Sequence, residues 1–222
     1  MAITAAFLAV VAAIVIWWLS HQKLASKPWL EEGVIGVVPG GGAPGVRTAK
    51  IGLGVFLAVA GSLFALFSSA YMMRMHIGAD WRPLPVPALL WLNTGVLVAS
   101  SVALHRAQTA ARCGRMVGVR DGLLAGGVLA LTFLAGQLLA WRQLDAAGYF
   151  LASNPANSFF YLLTTVHGLH VIGGLVALAR ATAKFWRGLD LEQVRLSVEL
   201  CAIYWHFLLF VWLVLFALLL HH

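Results

Sequence analysis

The sequence predicts an all-α fold, a polytopic membrane helix bundle of six transmembrane helices. Two observations carry that expectation. Apolar residues make up 61% of the 222-residue chain and charged residues only 10%. A soluble domain carries about a quarter charged residues, and this chain has too few to cover a soluble surface. The apolar residues also gather in six runs, at about 3–19, 51–73, 86–104, 122–141, 159–179 and 197–220. Each is close to the roughly 20 residues needed to cross a bilayer core. Helices are expected because lipid-exposed backbone groups must be satisfied within their own segment.

The first run lacks a basic leading region and a small-x-small cleavage site, and Trp17 and Trp18 read as interfacial anchors. It is expected to be an uncleaved helix, so residues 1–36 form an appended helix and loop. VVPGGGAPGV, residues 37–46, is too rich in Gly and Pro for regular structure and reads as a linker. Residues 47–222 then form a five-helix membrane domain. The third run is entered through DWRPLPVPALLWLNT, where Pro83, Pro85 and Pro87 keep the approach extended. Trp81 and Trp91 are sized to anchor at the interface, and Asn93 and Thr94 enter the membrane needing partners. The fourth run ends in GQLLAWRQL, with Gln137 an intramembrane amide and Trp141–Arg142 at the boundary.

The formal net charge is +7, but the basic residues fall between the apolar runs and form no stripe interleaved with aromatics. Nucleic acid is therefore not expected as a partner. Loop 20–50 holds Lys23, Lys27, Arg47 and Lys50; loop 105–121 holds Arg106, Arg112, Arg115 and Arg120; loop 180–196 holds Arg180, Lys184, Arg187 and Arg195. The alternate loops hold only Arg74 and Arg82, then Arg142. The asymmetry places the rich loops in the cytoplasm and both termini outside. Cys113 and Cys201 stand in unrelated contexts with no CxxC, so neither a thiolate metal site, a covalent haem nor a disulfide is expected.

The polar residues inside apolar runs are the candidates for function. His167 and His170, spaced i, i+3, share a helix face within SFFYLLTTVHGLHVIGG, and His206 lies in YWHFLLFVW. Such imidazoles could chelate a metal or ligate a haem. They could equally belong to a buried network with Tyr161, Tyr204 and neighbouring hydroxyls. A metal site wants three or more ligands and a carboxylate second shell, and no carboxylate accompanies His167 and His170 on their run. The network is the expected reading, with no catalytic residue and no metal. Gly168, Gly173 and Gly174 are expected to let a neighbouring helix approach. Glu199 stands seven residues before His206, on the same face, either as a proton site or as an end-of-helix carboxylate that pairs with Arg195 or rests in the helix interface. No Asp, Glu, Lys or Arg lies near the centre of a run, which argues against a transporter.

Two segments resemble subunit III of the haem–copper terminal oxidases. FY-x-LT-x-x-HG-x-HV is met at residues 160–171 and YWHF-x-x-x-x-W at 204–212. The W-x-P-L-P element, the LWLNT string at residues 90–94, the pair Ser100–Ser101 and the segment around Gln137 are similar as well. The resemblance runs over about residues 48–220 and identifies the chain as a divergent bacterial member.

That resemblance implies a non-catalytic subunit packed beside subunit I, which carries haem and copper, in a complex with subunit II. It implies no cofactor bound by this chain, support of proton uptake, and bound phospholipids. Arg106, Arg180, Trp205 and Trp212 are the lipid-contact candidates. The implied location is the bacterial plasma membrane, and the implied process is oxygen reduction coupled to proton pumping. The alternatives are a subunit III-like accessory protein of a quinol oxidase or nitric oxide reductase, or an independent haem-binding membrane redox protein, and the electron donor is not readable. Two positions depart from the family. Its FLASE-like element reads Phe56, Leu57, Ala58, Val59, Ala60, so no glutamate stands there; its YWHFVD ends in Leu208 and Leu209, so the aspartate is missing too.

Overall fold

The computed structural model describes residues 44–77, 80–187 and 191–220. The expected first helix, its Trp17–Trp18 anchors and residues 37–43 of the linker lie outside the described residues. Within them the regular structure is five helices: α1 (Pro44–Ile77), α2 (Leu89–Arg112), α3 (Met116–Ala146), α4 (Pro155–Trp186) and α5 (Leu191–Leu220). α1 starts inside the expected linker, because proline lacks only a donor that the first turn leaves unused.

Four helices carry segments long and apolar enough to cross a membrane: Thr48–Ile77, Met116–Ala146, Pro155–Trp186 and Val194–Leu220. α2, which holds the apolar run at 86–104, falls short of that measure of length and composition. Asn93, Thr94, Ser100 and Ser101 lower its hydropathy. The fold turns Asn93, Ser100 and Ser101 inward, where all three are buried.

The helices outrun the apolar runs. α3 has 31 residues and is about 46 Å long at 1.5 Å per residue, well beyond a hydrocarbon core of roughly 30 Å. Its ends carry Arg120, Asp121, Arg142 and Asp145 past the apolar stretch. The expected 105–121 loop therefore shrinks to a turn at 113–115, where Gly114 takes φ 69°, a conformation side chains disfavour. Arg106, Arg112 and Arg120 sit on helix ends instead.

The connection between α3 and α4 is closed by Asn154, which caps α4 by accepting from the Ala156 amide at 3.2 Å. The same side chain donates to the Arg82 carbonyl at 2.6 Å and so ties the two connections together. Pro155 follows at the first helical position, which suits it. Trp81 meets Tyr71 edge to face at 5.0 Å and lies 6.4 Å from the Phe159 ring. Arg74 pairs with Asp80 at 2.7 Å, and the guanidinium holds the Asp80 carboxyl below the usual carboxylate range.

The chain divides into two compact units, Met1–Ala65 and Leu66–His222, so the boundary falls inside α1. In the first unit Ala60 is buried, and Ser62 donates back to the Ala58 carbonyl at 2.9 Å. In the second, α2 packs on α3 and α5, and α4 packs on the same two helices. These four helices close on a core that includes Trp205, Trp212, Phe133, Phe160 and Leu97.

Candidate functional site

The polar side chains of this four-helix core form two seams along α2. Toward α3 the seam is made by missing side chains. Gly118, Gly122 and Gly126 recur every fourth residue on one face of α3. A Cβ on Gly122 would stand 2.7 Å from the Ala107 Cβ and 2.8 Å from the Ala103 carbonyl oxygen. One on Gly126 would stand 2.8 Å from Leu104, and one on Gly136 would collide with the Asn93 side-chain amide. That closeness lets Asn93 Nδ2 donate to the Phe133 carbonyl at 3.1 Å and Ser100 Oγ donate to the Gly126 carbonyl at 2.8 Å. Backbone carbonyls already bonded within α3 thus serve as second acceptors for α2.

Toward α5 the seam is made by large rings. Trp212 Nε1 donates to Thr94 Oγ1 and Trp205 Nε1 donates to Ser100 Oγ, both at 2.9 Å. Ser101 Oγ lies 2.6 Å from His206 Nδ1, and His206 Nε2 lies 3.4 Å from His105 Nδ1. Arg112 and Glu199 pair at 3.9 Å. The pairs 94 with 212, 100 with 205 and 112 with 199 run in opposite senses, as antiparallel helices require. Trp212 also meets Phe133 of α3 and His167 of α4, each at 5.0 Å between ring centres, so one indole touches all four helices.

The structure distributes the expected network rather than gathering it. His167 is fully buried and donates from Nε2 to the Leu208 carbonyl at 3.1 Å. His170, half-buried, bonds from Nδ1 to the Val166 carbonyl at 2.8 Å, while Tyr204 donates to the His170 carbonyl at 2.9 Å. His206 is exposed on the α2 side and does not join His167. Tyr161 donates to the Tyr149 carbonyl and anchors the connection before α4. Glu199 pairs with Arg112 of α2, a partner other than the expected Arg195. Asn93 bridges α2 to α3. Gln137 is buried with neither amide atom hydrogen-bonded among the described residues.

Two expectations need correction. Trp205 and Trp212 are 0% exposed inside the bundle, so they cannot face lipid in the way proposed for Arg106 and Arg180, which are exposed. Their indole N–H groups sought hydroxyls on α2, which a hydropathy reading does not show. Of the glycines expected at an interface, only Gly174 is tight, with Trp205 and Tyr204 both 2.8 Å from a Cβ placed there. Gly173 meets nothing within 4 Å. The other glycines that let helices approach are on α3, where the spacing of four from Gly118 to Gly126 is the sequence signal that finds them. Thr94, Ser100, Ser101, His105, Trp141 and Thr164 also belong to the seams. Trp141 Nε1 donates to Thr164 Oγ1 at 3.1 Å between α3 and α4.

Chemically this arrangement holds helices together. Indoles, amides and hydroxyls bond to partners on neighbouring helices, and among the described residues no group of three or more His, Cys, Asp or Glu is placed to hold a metal ion.

The family model described as cytochrome c oxidase subunit III matches residues 35–222. The chain belongs to that family. It is 32% identical over 185 residues to cytochrome c oxidase subunit 3 of Synechocystis sp., covering 80% of this chain and 76% of the relative. It is 33% identical over 157 residues to the probable cytochrome c oxidase subunit 3 of Mycobacterium bovis, covering 69% and 76%. The subunit of Thermostichus vulcanus is 30% identical over 176 residues, covering 76% and 85%. As a subunit III, the chain is a multi-pass membrane protein and a non-catalytic member of a haem–copper oxidase, an oxidoreductase complex with other subunits. The expected family membership and the all-helical character of the five described helices are both met; the motifs at residues 160–171 and 204–212 that suggested the family fall in α4 and α5.

Proposed function

We propose that this subunit III flanks subunit I of a bacterial respiratory terminal oxidase and preserves it during turnover. In this reading haem and copper reside in subunit I, subunit II completes the complex, and this chain holds no haem or copper. All five described helices cross the plasma membrane, α2 included, because its polar groups are satisfied by α3 and α5. The turn at 113–115, which holds Arg115 and is flanked by Arg112 and Arg120, faces the cytoplasm, and with the run at 3–19 as a sixth crossing both termini face outward. A membrane-impermeant thiol reagent added from outside should therefore leave the exposed Cys113 unlabelled in intact cells. Bound phospholipids and support of proton uptake complete the reading, with Ala60 and Leu209 removing two carboxylates from any proton route through this chain.

The observation that supports a holding role is how the seams use their polar groups. Trp205, Trp212, Ser100 and Asn93 bond across helices of the same chain. The test is initial oxygen-reduction rate against total turnovers before inactivation, in intact and subunit-depleted oxidase. Depletion should leave the initial rate nearly unchanged and shorten the lifetime. Immediate loss of the initial rate would mean that this chain holds part of the chemistry.

A further inference from the structure

We propose that His105 and His206 form an exchangeable site for a divalent cation of the zinc class, bridging α2 and α5. Their facing nitrogens, His105 Nδ1 and His206 Nε2, lie 3.4 Å apart. Two imidazoles on one tetrahedral zinc, each at about 2.0–2.1 Å, hold their ligating nitrogens about 3.4 Å apart. The nitrogens therefore stand at the separation a cation would impose, and a small ring rotation turns both lone pairs toward it.

Ser101 supplies the outer contact such a site needs. Its hydroxyl lies 2.6 Å from His206 Nδ1, and the serine itself is buried. With Nδ1–H donating to that hydroxyl, Nε2 presents its lone pair toward His105. Ligating histidines commonly have their second nitrogen held by such a partner, which sets the tautomer and the ring orientation. Beside this contact the Trp205–Ser100 bond joins α2 and α5, one residue from His206 and one from Ser101.

The surroundings suit an exchangeable rather than a resident ion. Both rings are exposed on the outer face of the bundle, so the remaining coordination positions are open to ligands from outside this chain, water among them when the chain is in detergent. Two protein ligands are fewer than the three or four of catalytic and structural zinc sites. Glu199 and Arg112 each stand seven residues from the pair along their helices, about 10 Å away, too far to ligate. Arg106 follows His105 in sequence but lines the groove between α2 and α3 with Arg115 and Asp121. Its charge is directed away from the α5 side.

The experiment uses the full chain in detergent, stripped with chelator and titrated with Co²⁺ as a spectroscopic stand-in for zinc. Low-coordinate cobalt absorbs far more strongly in the visible than the hexaaqua ion. The wild-type chain should develop those bands and saturate at one equivalent. His105→Ala and His206→Ala should each abolish them, and Ser101→Ala should weaken binding by about 10- to 100-fold. Helical circular dichroism in chelator should match across all four proteins, and the thermal transition of each in chelator serves as its own metal-free baseline. Zn²⁺ should raise the transition temperature of the wild type and of neither histidine variant, with Ser101→Ala needing more zinc for the same rise. Absence of the bands in the wild type, or bands of equal strength in His206→Ala, would overturn the site.

Discussion

The two seams of α2 are built in opposite ways. Against α3 the helix meets Gly118, Gly122 and Gly126, and the gain comes from backbones that approach closely. Against α5 it meets Trp205, Trp212 and His206, and the gain comes from rings whose polar edges reach its hydroxyls. Lipid tails are as apolar as leucine, so burying more leucine would hold neither seam. Close packing and interhelical hydrogen bonds are what remain, and each seam relies mainly on one of them.

The glycine seam should be the less forgiving. Gly122→Leu places a branched side chain against the Ala103 carbonyl, a backbone group that cannot swing aside. Overpacking of this kind costs about 1–3 kcal/mol, and more where neighbours are fixed. The variant should melt earlier in detergent and be recovered poorly in the assembled oxidase. Gly173→Ala, also in a membrane helix but with nothing within 4 Å, should match the wild type. Equal behaviour of the two variants would mean that the glycine gaps do not hold α3 against α2.

A smaller effect is expected on the ring seam. A double-mutant cycle between Trp205→Phe and Ser100→Ala isolates their bond from the packing lost with the indole. Polar contacts between membrane helices average about 0.6 kcal/mol and reach about 1.7. A coupling in that range supports a seam built of many modest bonds, and zero coupling would mean that ring packing alone holds it.

The smallest effect belongs to a contact outside both seams. Arg74 keeps the exposed Asp80 carboxyl below its ordinary pKa. A depressed carboxylate contributes stability above its unfolded pKa of about 3.9, and loses it as pH falls through the lower folded value. Wild type and Asp80→Asn should therefore differ slightly at neutral pH and converge in strong acid. A difference that grows on acidification would reverse the assignment.

Much of this was legible in the sequence, element by element. The apolar runs at 122–141, 159–179 and 197–220 located α3, α4 and α5, although charged ends such as Arg120 and Asp145 hid several further helical turns. Asn93 was recognisable as a membrane polar group in need of a partner, but Phe133 as that partner was not. His167 was recognisable as anomalous in an apolar helix; its separation from His206 was not. The glycine repeat on α3 was present as a spacing of four and was outweighed by the histidines of α4.

By itself the sequence determined that the chain is helical and membrane-bound, because composition and run length depend only on which residues follow one another. It also carried the family motifs, which are local strings. The tertiary structure decided which face of each helix is buried, that Trp205 and Trp212 turn inward, and that His105 meets His206. Those outcomes depend on how α2, α3, α4 and α5 are rotated about their axes. That rotation is set jointly by glycine gaps and polar partners on helices as much as 118 residues apart, as between Thr94 and Trp212. No window along one helix contains both halves of such a bond.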